Sequence, residues 1–169
     1  MIHVYTGEGK GKTTAAFGLA LRMVGAGRRA VVVQFLKGRQ DVGEFQAQKK
    51  FAGLEVRQFG RADFVNPMKP EPIDFELARE GLKFAERLVK EKPPGLLVLD
   101  EANVAMHYGL LSTKEVLEFI QTVPPTTELV FTGRNAPKEI IARADLVTEM
   151  KEVSHPYRKG VGARKGVEY

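Results

Sequence analysis

A glycine- and lysine-rich segment near the start of the chain constrains the fold more than any other feature. Residues 6–14 read Thr-Gly-Glu-Gly-Lys-Gly-Lys-Thr-Thr and lie between an apolar run (2–5) and a helix-like segment (15–24). The glycines permit backbone angles that a side chain would forbid, so successive N–H groups can turn inward toward phosphate oxygens. The helix that follows adds its unpaired N–H groups and its positive dipole end. This order of strand, glycine-rich turn and helix is typical of a phosphate-binding loop.

Individual residues of the loop have predictable roles. Lys12 can reach the terminal phosphates, and the Thr13 hydroxyl is placed to hold a magnesium ion. The general pattern begins with glycine five residues before Gly11, and this chain has Thr6 there, so the loop is a variant. We expect nucleotide contacts from Gly7, Glu8, Gly9, Lys10, Gly11, Lys12, Thr13 and Thr14.

A second run supports nucleotide binding. Residues 96–101 read Leu-Leu-Val-Leu-Asp-Glu, a buried-strand pattern that ends in two carboxylates. Asp100 and Glu101 are the expected partners of the loop, where they would bind magnesium or its waters opposite the phosphates. A strand that ends in solvated acids is also common in α/β proteins, but the two patterns together favour binding of a nucleoside triphosphate.

Two basic residues follow other predicted strands. Ligands of open α/β sheets bind at the carboxyl ends of the strands. Arg134 follows the strand predicted over residues 128–132, which suits a contact with phosphate or ribose. Position alone would equally fit a surface arginine at the end of a strand, and Lys37, after the second strand, is ambiguous in the same way.

Strand-like and helix-like segments alternate to the end of the chain. This alternation predicts an α/β fold of three layers, with a mostly parallel central sheet and helices on both faces, as in RecA-like P-loop NTPases. The 169 residues contain no repeat or linker, so residues 1–169 are predicted to form a single domain. Strands are predicted at 2–5, 29–36, 54–59, 96–100, 128–132 and 146–153, and helices at 13–25, 43–51, 73–91, 113–122 and 137–144.

Two local patterns refine this outline. Residues 61–72 form the one long stretch predicted to be irregular, because Pro67, Pro70 and Pro72 prevent regular structure there. Ser112 and Glu115 have the spacing of a capping box, which predicts the start of the helix after Ser112.

Composition excludes several classes of protein. Apolar residues make up 43% and charged residues 28%, as is usual for globular chains, and no apolar run reaches the roughly 20 residues that span a bilayer. The chain begins with a strand pattern and has no cysteine, which predicts cytoplasmic localisation without disulfides or thiolate metal sites. The net charge of +5 suits an anionic partner, and a polyphosphate accounts for it as readily as nucleic acid does, so nucleic acid is not favoured.

Five segments together resemble the ATP:corrinoid adenosyltransferases of the phosphate-loop type. The resemblance runs nearly from end to end and is weakest over residues 39–92. It explains Thr6, because the loop of this family generally lacks that first glycine. It also favours an ordered C-terminal end, where composition alone favours a frayed one. The segments are TGEGKGKTTAAFG, VVQFLKG (32–38), VLDEANVA (98–105), FTGRNAP (131–137) and HPYRKGVGARKGVEY.

The resemblance implies a reaction. The 5′-deoxyadenosyl group of ATP would pass to the cobalt(I) of a reduced corrinoid, cob(I)alamin, with release of triphosphate, in adenosylcobalamin biosynthesis or salvage. ATP would be the co-substrate, with Mg²⁺ or Mn²⁺, and the corrinoid the second substrate. Because the cobalt supplies the nucleophile, the protein needs none, and none is evident in the sequence. A homodimer and an unidentified cobalt reductase are the implied partners.

The resemblance also assigns residues. Lys12, Thr13 and Glu101 would be catalytic, and Thr13 and Glu101, with Asp100 behind them, would hold the metal. Arg134 would contact the nucleotide. Phe64 is the natural match to aromatic residues that lie near the lower face of the corrin in this family. The companion tryptophan expected there is absent, because this chain has no Trp.

Two other functions share parts of this pattern. A small-molecule kinase has the same loop and Asp-Glu strand, and Arg158 and Arg164 could form its lid; it would release ADP. A RecA-like nucleic-acid-dependent NTPase could use Arg134 and Asn135 as a sensor, and its phosphate release would depend on nucleic acid and strongly on salt.

Overall fold

A computed structural model describes residues 1–63, 66 and 68–168, and within these residues the chain forms one six-stranded sheet. The strand order is β3-β2-β4-β5-β1-β6, and every neighbouring pair is parallel. The predicted α/β architecture is confirmed, with a sheet that is parallel throughout its described part. The strands are β1 (Ile2–Thr6), β2 (Ala30–Phe35), β3 (Leu54–Phe59), β4 (Leu96–Asp100), β5 (Glu128–Thr132) and β6 (Leu146–Glu149).

Helices cover both faces of the sheet. Side chains alternate along β2, so Val31, Val33 and Phe35 pack in one core cluster while Ala30 and Val32 pack in the other. The helices are α1 (Lys12–Gly25), α2 (Gly43–Ala47), α3 (Pro72–Glu91), α4 (Ala102–His107), α5 (Thr113–Thr122) and α6 (Lys138–Ile141), with a 3₁₀ helix at Pro156–Lys159. Residues of α3, α4, α5 and α6 belong to the first cluster and residues of α1 to the second. None of the described helices combines the length and apolar character that crossing a membrane requires.

All the predicted strands and helices are present, and they differ from the prediction only at their ends. The helix after the loop begins at Lys12, one residue earlier than predicted, and β6 ends at Glu149 rather than continuing to 153. Helix α2 ends at Ala47 rather than at 51. The predicted helix 137–144 is regular only over Lys138–Ile141. Short helices near sheet edges have few core contacts to extend them.

The start of α3 corrects the prediction for Pro72. We expected this proline to prevent regular structure, but it occupies the first turn of the helix, where its missing N–H costs nothing. Glu71 and Asp74 form a reciprocal capping box there, which the sequence analysis did not identify. At α5 the predicted Ser112 cap is present, and its side chain accepts a hydrogen bond from the Glu115 N–H at 3.5 Å.

Helix α4 was not predicted at all. It begins directly after Glu101 and is six residues long, with Ala102, Asn103, Ala105 and Met106 buried. Such a short helix has little periodicity of its own, and its stability comes from packing on the sheet. Its position matters because it fixes the backbone that carries the Asp-Glu pair.

Candidate nucleotide site

The phosphate loop connects β1 to α1 and packs against the chain that leaves β6. Gly7 and Gly11 have φ angles of 95° and 117°, which only glycine adopts without strain. Gly9 is required for a different reason: a Cβ there would lie 2.7 Å from the Met150 carbonyl oxygen. The Gly9 N–H donates a hydrogen bond to that oxygen at 2.6 Å. The chain that leaves the edge strand β6 therefore helps to shape the loop.

Lys12 points back under the loop. Its Nζ donates hydrogen bonds to the Gly7 oxygen at 2.7 Å and the Gly9 oxygen at 2.6 Å, and the residue is only 8% exposed. Burial lowers the pKa of Lys12, and the charge of Arg134 lowers it further, whereas Glu101 and Glu8 oppose this. The Lys12 ammonium is therefore held at the centre of the loop by carbonyl groups of the loop backbone.

Asp100, at the end of β4, is fully buried and accepts hydrogen bonds on both oxygens. Burial alone would raise its pKa, but the Lys37 charge and hydrogen bonds from Lys37, Thr132 and Gln34 hold it below its usual value. Its donors are Thr13 Oγ1 (2.8 Å) and Thr132 Oγ1 (2.6 Å) on Oδ1, and Gln34 Nε2 (2.9 Å) and Lys37 Nζ (2.8 Å) on Oδ2. We call these five residues the Asp100 cluster.

Glu101 has a strained backbone and an available carboxylate. Its φ of 61° places it in the left-handed region as the N-cap of α4, and its N–H donates to Thr132 Oγ1 at 3.0 Å. Burial and the charge of Asp100 raise the pKa of Glu101. Within the described residues, no side chain donates a hydrogen bond to its carboxylate, so both oxygens are available to a cation.

Arg134 reaches the loop from the end of β5. Its Nε lies 3.0 Å from Glu8 Oε2, and its Nη2 donates to the Glu8 carbonyl oxygen at 3.3 Å. The guanidinium is half exposed, which leaves it free to exchange Glu8 for another anion. Asn103, buried on α4, donates to the Gly133 oxygen at 3.2 Å and so helps to hold the segment that carries Arg134.

These residues surround one cavity of about 900 Å³. Its wall contains most of the predicted site and also apolar side chains, among them Phe17, Leu21, Phe51 and Leu54. Asp100 lies beneath the wall, and Gly7 contributes through its contact with Lys12. The predicted residues that line the cavity are Glu8, Gly9, Lys10, Gly11, Lys12, Thr13, Thr14, Glu101 and Arg134. Phe64 lies outside the described residues.

The C-terminal segment (residues 151–168) closes one side of this cavity. Lys10 Nζ donates to Glu168 Oε1 at 2.9 Å and to the Val167 oxygen at 3.1 Å. Hydrogen bonds from the Arg164 and Lys10 side chains lower the pKa of Glu168 to about 2. His155 and Gly166 also line the cavity. The end of the segment is thus attached to the loop through Lys10, as the resemblance suggested, although most of residues 151–168 are exposed.

The sequence placed Gln34, Thr132 and Asn103 in segments at the ligand-binding edge of the sheet, but it assigned none of them a role. The sequence contained a signal for Gln34. It is the one polar residue in the apolar run of β2, and a buried amide needs hydrogen-bond partners. Thr132 ends a strand at the ligand-binding edge, which is also informative. Asn103 had no such sign, because α4 itself was not predicted.

The sheet, the loop and the Asp-Glu strand define a phosphate-loop nucleotide-binding protein of the α/β class. The family model for "ATP:corrinoid adenosyltransferase BtuR/CobO/CobP" matches residues 1–169. The chain therefore belongs to the ATP:corrinoid adenosyltransferase family, whose members are transferases, and neither the kinase nor the nucleic-acid-dependent NTPase is favoured.

Curated relatives agree with the family model. A corrinoid adenosyltransferase of Sinorhizobium sp is 38% identical over 172 residues, which cover all of this chain and 80% of the relative. One from Pseudomonas aeruginosa is 37% identical over 166 residues, covering 98% of this chain and 82% of the relative. One from Escherichia coli (strain K12) is 35% identical over 169 residues, covering all of this chain and 85% of the relative.

Proposed function

We propose that this protein transfers the 5′-deoxyadenosyl group of ATP to the cobalt(I) of a reduced corrinoid and releases triphosphate. The cobalt–carbon bond forms as the bond from C5′ to its oxygen breaks, and the leaving triphosphate keeps that electron pair while cobalt(I) becomes cobalt(III). The observation that supports this most strongly is that Lys12, Thr13, Glu101 and Arg134 line one cavity in a chain of this family.

The protein's task is to stabilise the negative charge that grows on the triphosphate. Backbone N–H groups of the loop and of the first turn of α1 bind its oxygens, and Lys12 exchanges the Gly7 and Gly9 carbonyls for them. Arg134 exchanges Glu8 for a phosphate oxygen. These donors are in place before the reaction, so little reorganisation is needed during it.

Thr13 and Glu101 would hold Mg²⁺ or Mn²⁺. The residues fit such an ion, because the Glu101 carboxylate is available and hard oxygen ligands suit it. No group of three His, Cys, Asp or Glu in the described part of the chain forms a ready metal site, which agrees with an ion completed by phosphate and water. When bound, the ion neutralises charge on the triphosphate. Asp100 would orient Thr13 through the 2.8 Å hydrogen bond.

Several further properties belong to this proposal. Residues 1–169 would act as a single domain and assemble as a homodimer, with cobalt(I) delivered by a reductase of unknown identity. Cytoplasmic localisation follows from the need for ATP and a reducing environment. Phe64 would face the corrinoid, and Phe64→Ala would slow transfer without changing ATP affinity.

The test is an anaerobic incubation of the protein with ATP, Mg²⁺ and chemically reduced cob(I)alamin. The corrinoid spectrum is followed, and the phosphate product is identified by ion-exchange chromatography. We expect light-sensitive adenosylcobalamin and triphosphate in equal amounts. Glu101→Gln should lower the rate by about a hundredfold, while Glu118→Gln, on an exposed face of α5, is the matched control.

The products separate the proposed reaction from its rivals. ADP without a corrinoid change would identify a kinase, and phosphate release that requires nucleic acid would identify a motor or switch. ATP binding with neither product would leave the nucleotide site in place and refute the transfer reaction.

A further inference from the structure

Lys37 contacts three residues at the centre of the nucleotide site. Its Nζ donates to Asp100 Oδ2 at 2.8 Å and to Thr13 Oγ1 at 3.4 Å, and lies 3.9 Å from Glu44 Oε1. The side chain also lines the cavity and is 30% exposed. A second ammonium group therefore lies beside the hydroxyl that we assign to the metal.

The backbone at Lys37 is fixed by close packing. Leu36 has a φ of 60°, and its N–H donates to the Phe59 oxygen at 3.1 Å. A Cβ on Gly60 would lie 2.3 Å from the Lys37 nitrogen, and one on Gly38 would lie 2.4 Å from the Gly60 oxygen. The loop after β2 is thus pressed against the loop after β3, and this packing sets where the Lys37 side chain begins.

Asp100 has no free position for a metal ion. A carboxylate offers about four lone-pair sites, and each Asp100 oxygen already accepts two hydrogen bonds. An ion bound by Thr13 and Glu101 would lie a few ångströms from the Lys37 ammonium and be repelled by it. The charges of Lys12 and Lys37 also balance those of Asp100 and Glu101 before any ligand arrives.

We propose that Lys37 is a built-in cation of this site: it neutralises Asp100 and keeps the nucleotide-free protein from binding a divalent ion, so that the metal enters together with the nucleotide. The phosphates that accompany the metal outweigh the repulsion and give the ammonium a new partner. Lys37 is thus a positioning residue for Thr13 and Asp100. The inference rests on the proposed metal-binding role of Thr13 and Glu101, but not on the transfer reaction.

A purely structural ion pair would behave differently. If Lys37 only held the ends of neighbouring strands together, its removal would lower the free energy of unfolding and leave the affinity for a metal ion unchanged or weaker. If Lys37 is instead a built-in cation, removing it leaves the Asp100 charge unbalanced beside Glu101, and the affinity of the site for a divalent ion rises.

The experiment measures Mn²⁺ binding to the nucleotide-free protein by the EPR signal of free Mn²⁺, at low ionic strength. We expect weak binding by the wild-type protein and about tenfold tighter binding by Lys37→Met, the effect of one unit charge on a divalent ion a few ångströms away in wet surroundings. Lys37→Arg should resemble the wild type. Lys114→Met, which removes an 85% exposed lysine, is the matched control.

A double variant tests the route through Asp100. Lys37→Met combined with Asp100→Asn should return the Mn²⁺ affinity toward the wild-type value, because the unbalanced charge is gone. Equal affinities of wild type and folded Lys37→Met would overturn the proposal. If Lys37→Met does not fold, the wild type and Lys37→Gln still test the proposal. Tight Mn²⁺ binding by the nucleotide-free wild type would overturn it. Weak binding by the wild type together with tighter binding by Lys37→Gln would support it.

Discussion

The Asp100 cluster and the C-terminal segment both contact the phosphate loop, but they differ in how deeply they are buried. Asp100 is fully buried and receives four hydrogen bonds from residues on α1, on two strands and in the loop after β2. The C-terminal segment reaches the loop through Lys10, Glu168 and Arg164, whose side chains are 41%, 20% and 52% exposed.

Burial decides how much each contact contributes. Hydrogen bonds to a charged group out of contact with water contribute about 1.5–3 kcal/mol each, and breaking a buried pair leaves a charge unbalanced. Exposed ion pairs are screened by water and salt and contribute little. The Asp100 cluster therefore stabilises the folded state, whereas the C-terminal contact contributes little and can rearrange when a ligand binds.

The largest effect should come from the buried lysine of the phosphate loop that both regions contact. Lys12→Ala should lower adenosyl transfer by about 10²–10³, measured in single turnovers with saturating ATP. Because Lys12 bonds only loop carbonyls, the melting temperature should stay close to that of the exposed control Lys114→Ala. An unfolded Lys12→Ala protein would show that the loop depends on this ammonium.

The cluster itself can be broken by Asp100→Ala. This change leaves Lys37 and three other donors without their acceptor, and we expect a loss of about 3 kcal/mol in the free energy of unfolding. Urea denaturation would measure it against Asp63→Ala, which removes an exposed carboxylate. Equal stabilities of the two variants would mean that the cluster is not part of the folding core.

Thr132→Val tests a single bridge within the cluster. The hydroxyl connects Asp100 to the Glu101 N–H, so its removal should cost about 1–2 kcal/mol in the free energy of unfolding, although valine suits the strand. Thr126→Val, at an exposed position, is the control for the change in shape. No difference between the two would indicate that water replaces the hydroxyl.

The smallest effect belongs to the C-terminal contact. The pKa of Glu168 is lowered from 4.5 to about 2, so its stabilising effect is complete above pH 4.5 and is lost as the pH falls toward about 2. Carbon-detected NMR titration of the Glu168 carboxyl should show this value, and in Lys10→Ala it should move toward 4.5. Added salt should shift it in the same direction. An unchanged titration in Lys10→Ala would show that Arg164 alone holds the carboxylate.

The two regions also differ in how well they could be predicted. The loop, Asp100 and Glu101 were found because glycines, a lysine and a strand that ends in acids are local patterns with a direct physical meaning. Lys37 was left ambiguous, and Gln34 and Thr132 were given no role, because each residue acquires its role only through Asp100. They lie 63, 66 and 32 residues from it along the chain.

The sequence by itself determined the alternation of strands and helices, the phosphate loop with its following helix, and the family. These depend on backbone propensities and periodicities within short windows. The strand order β3-β2-β4-β5-β1-β6 was decided only by tertiary structure, because pairing of parallel strands depends on burial summed over the whole sheet. That order places β2 and β5 on either side of β4, and so brings Gln34, Lys37 and Thr132 to one buried carboxylate.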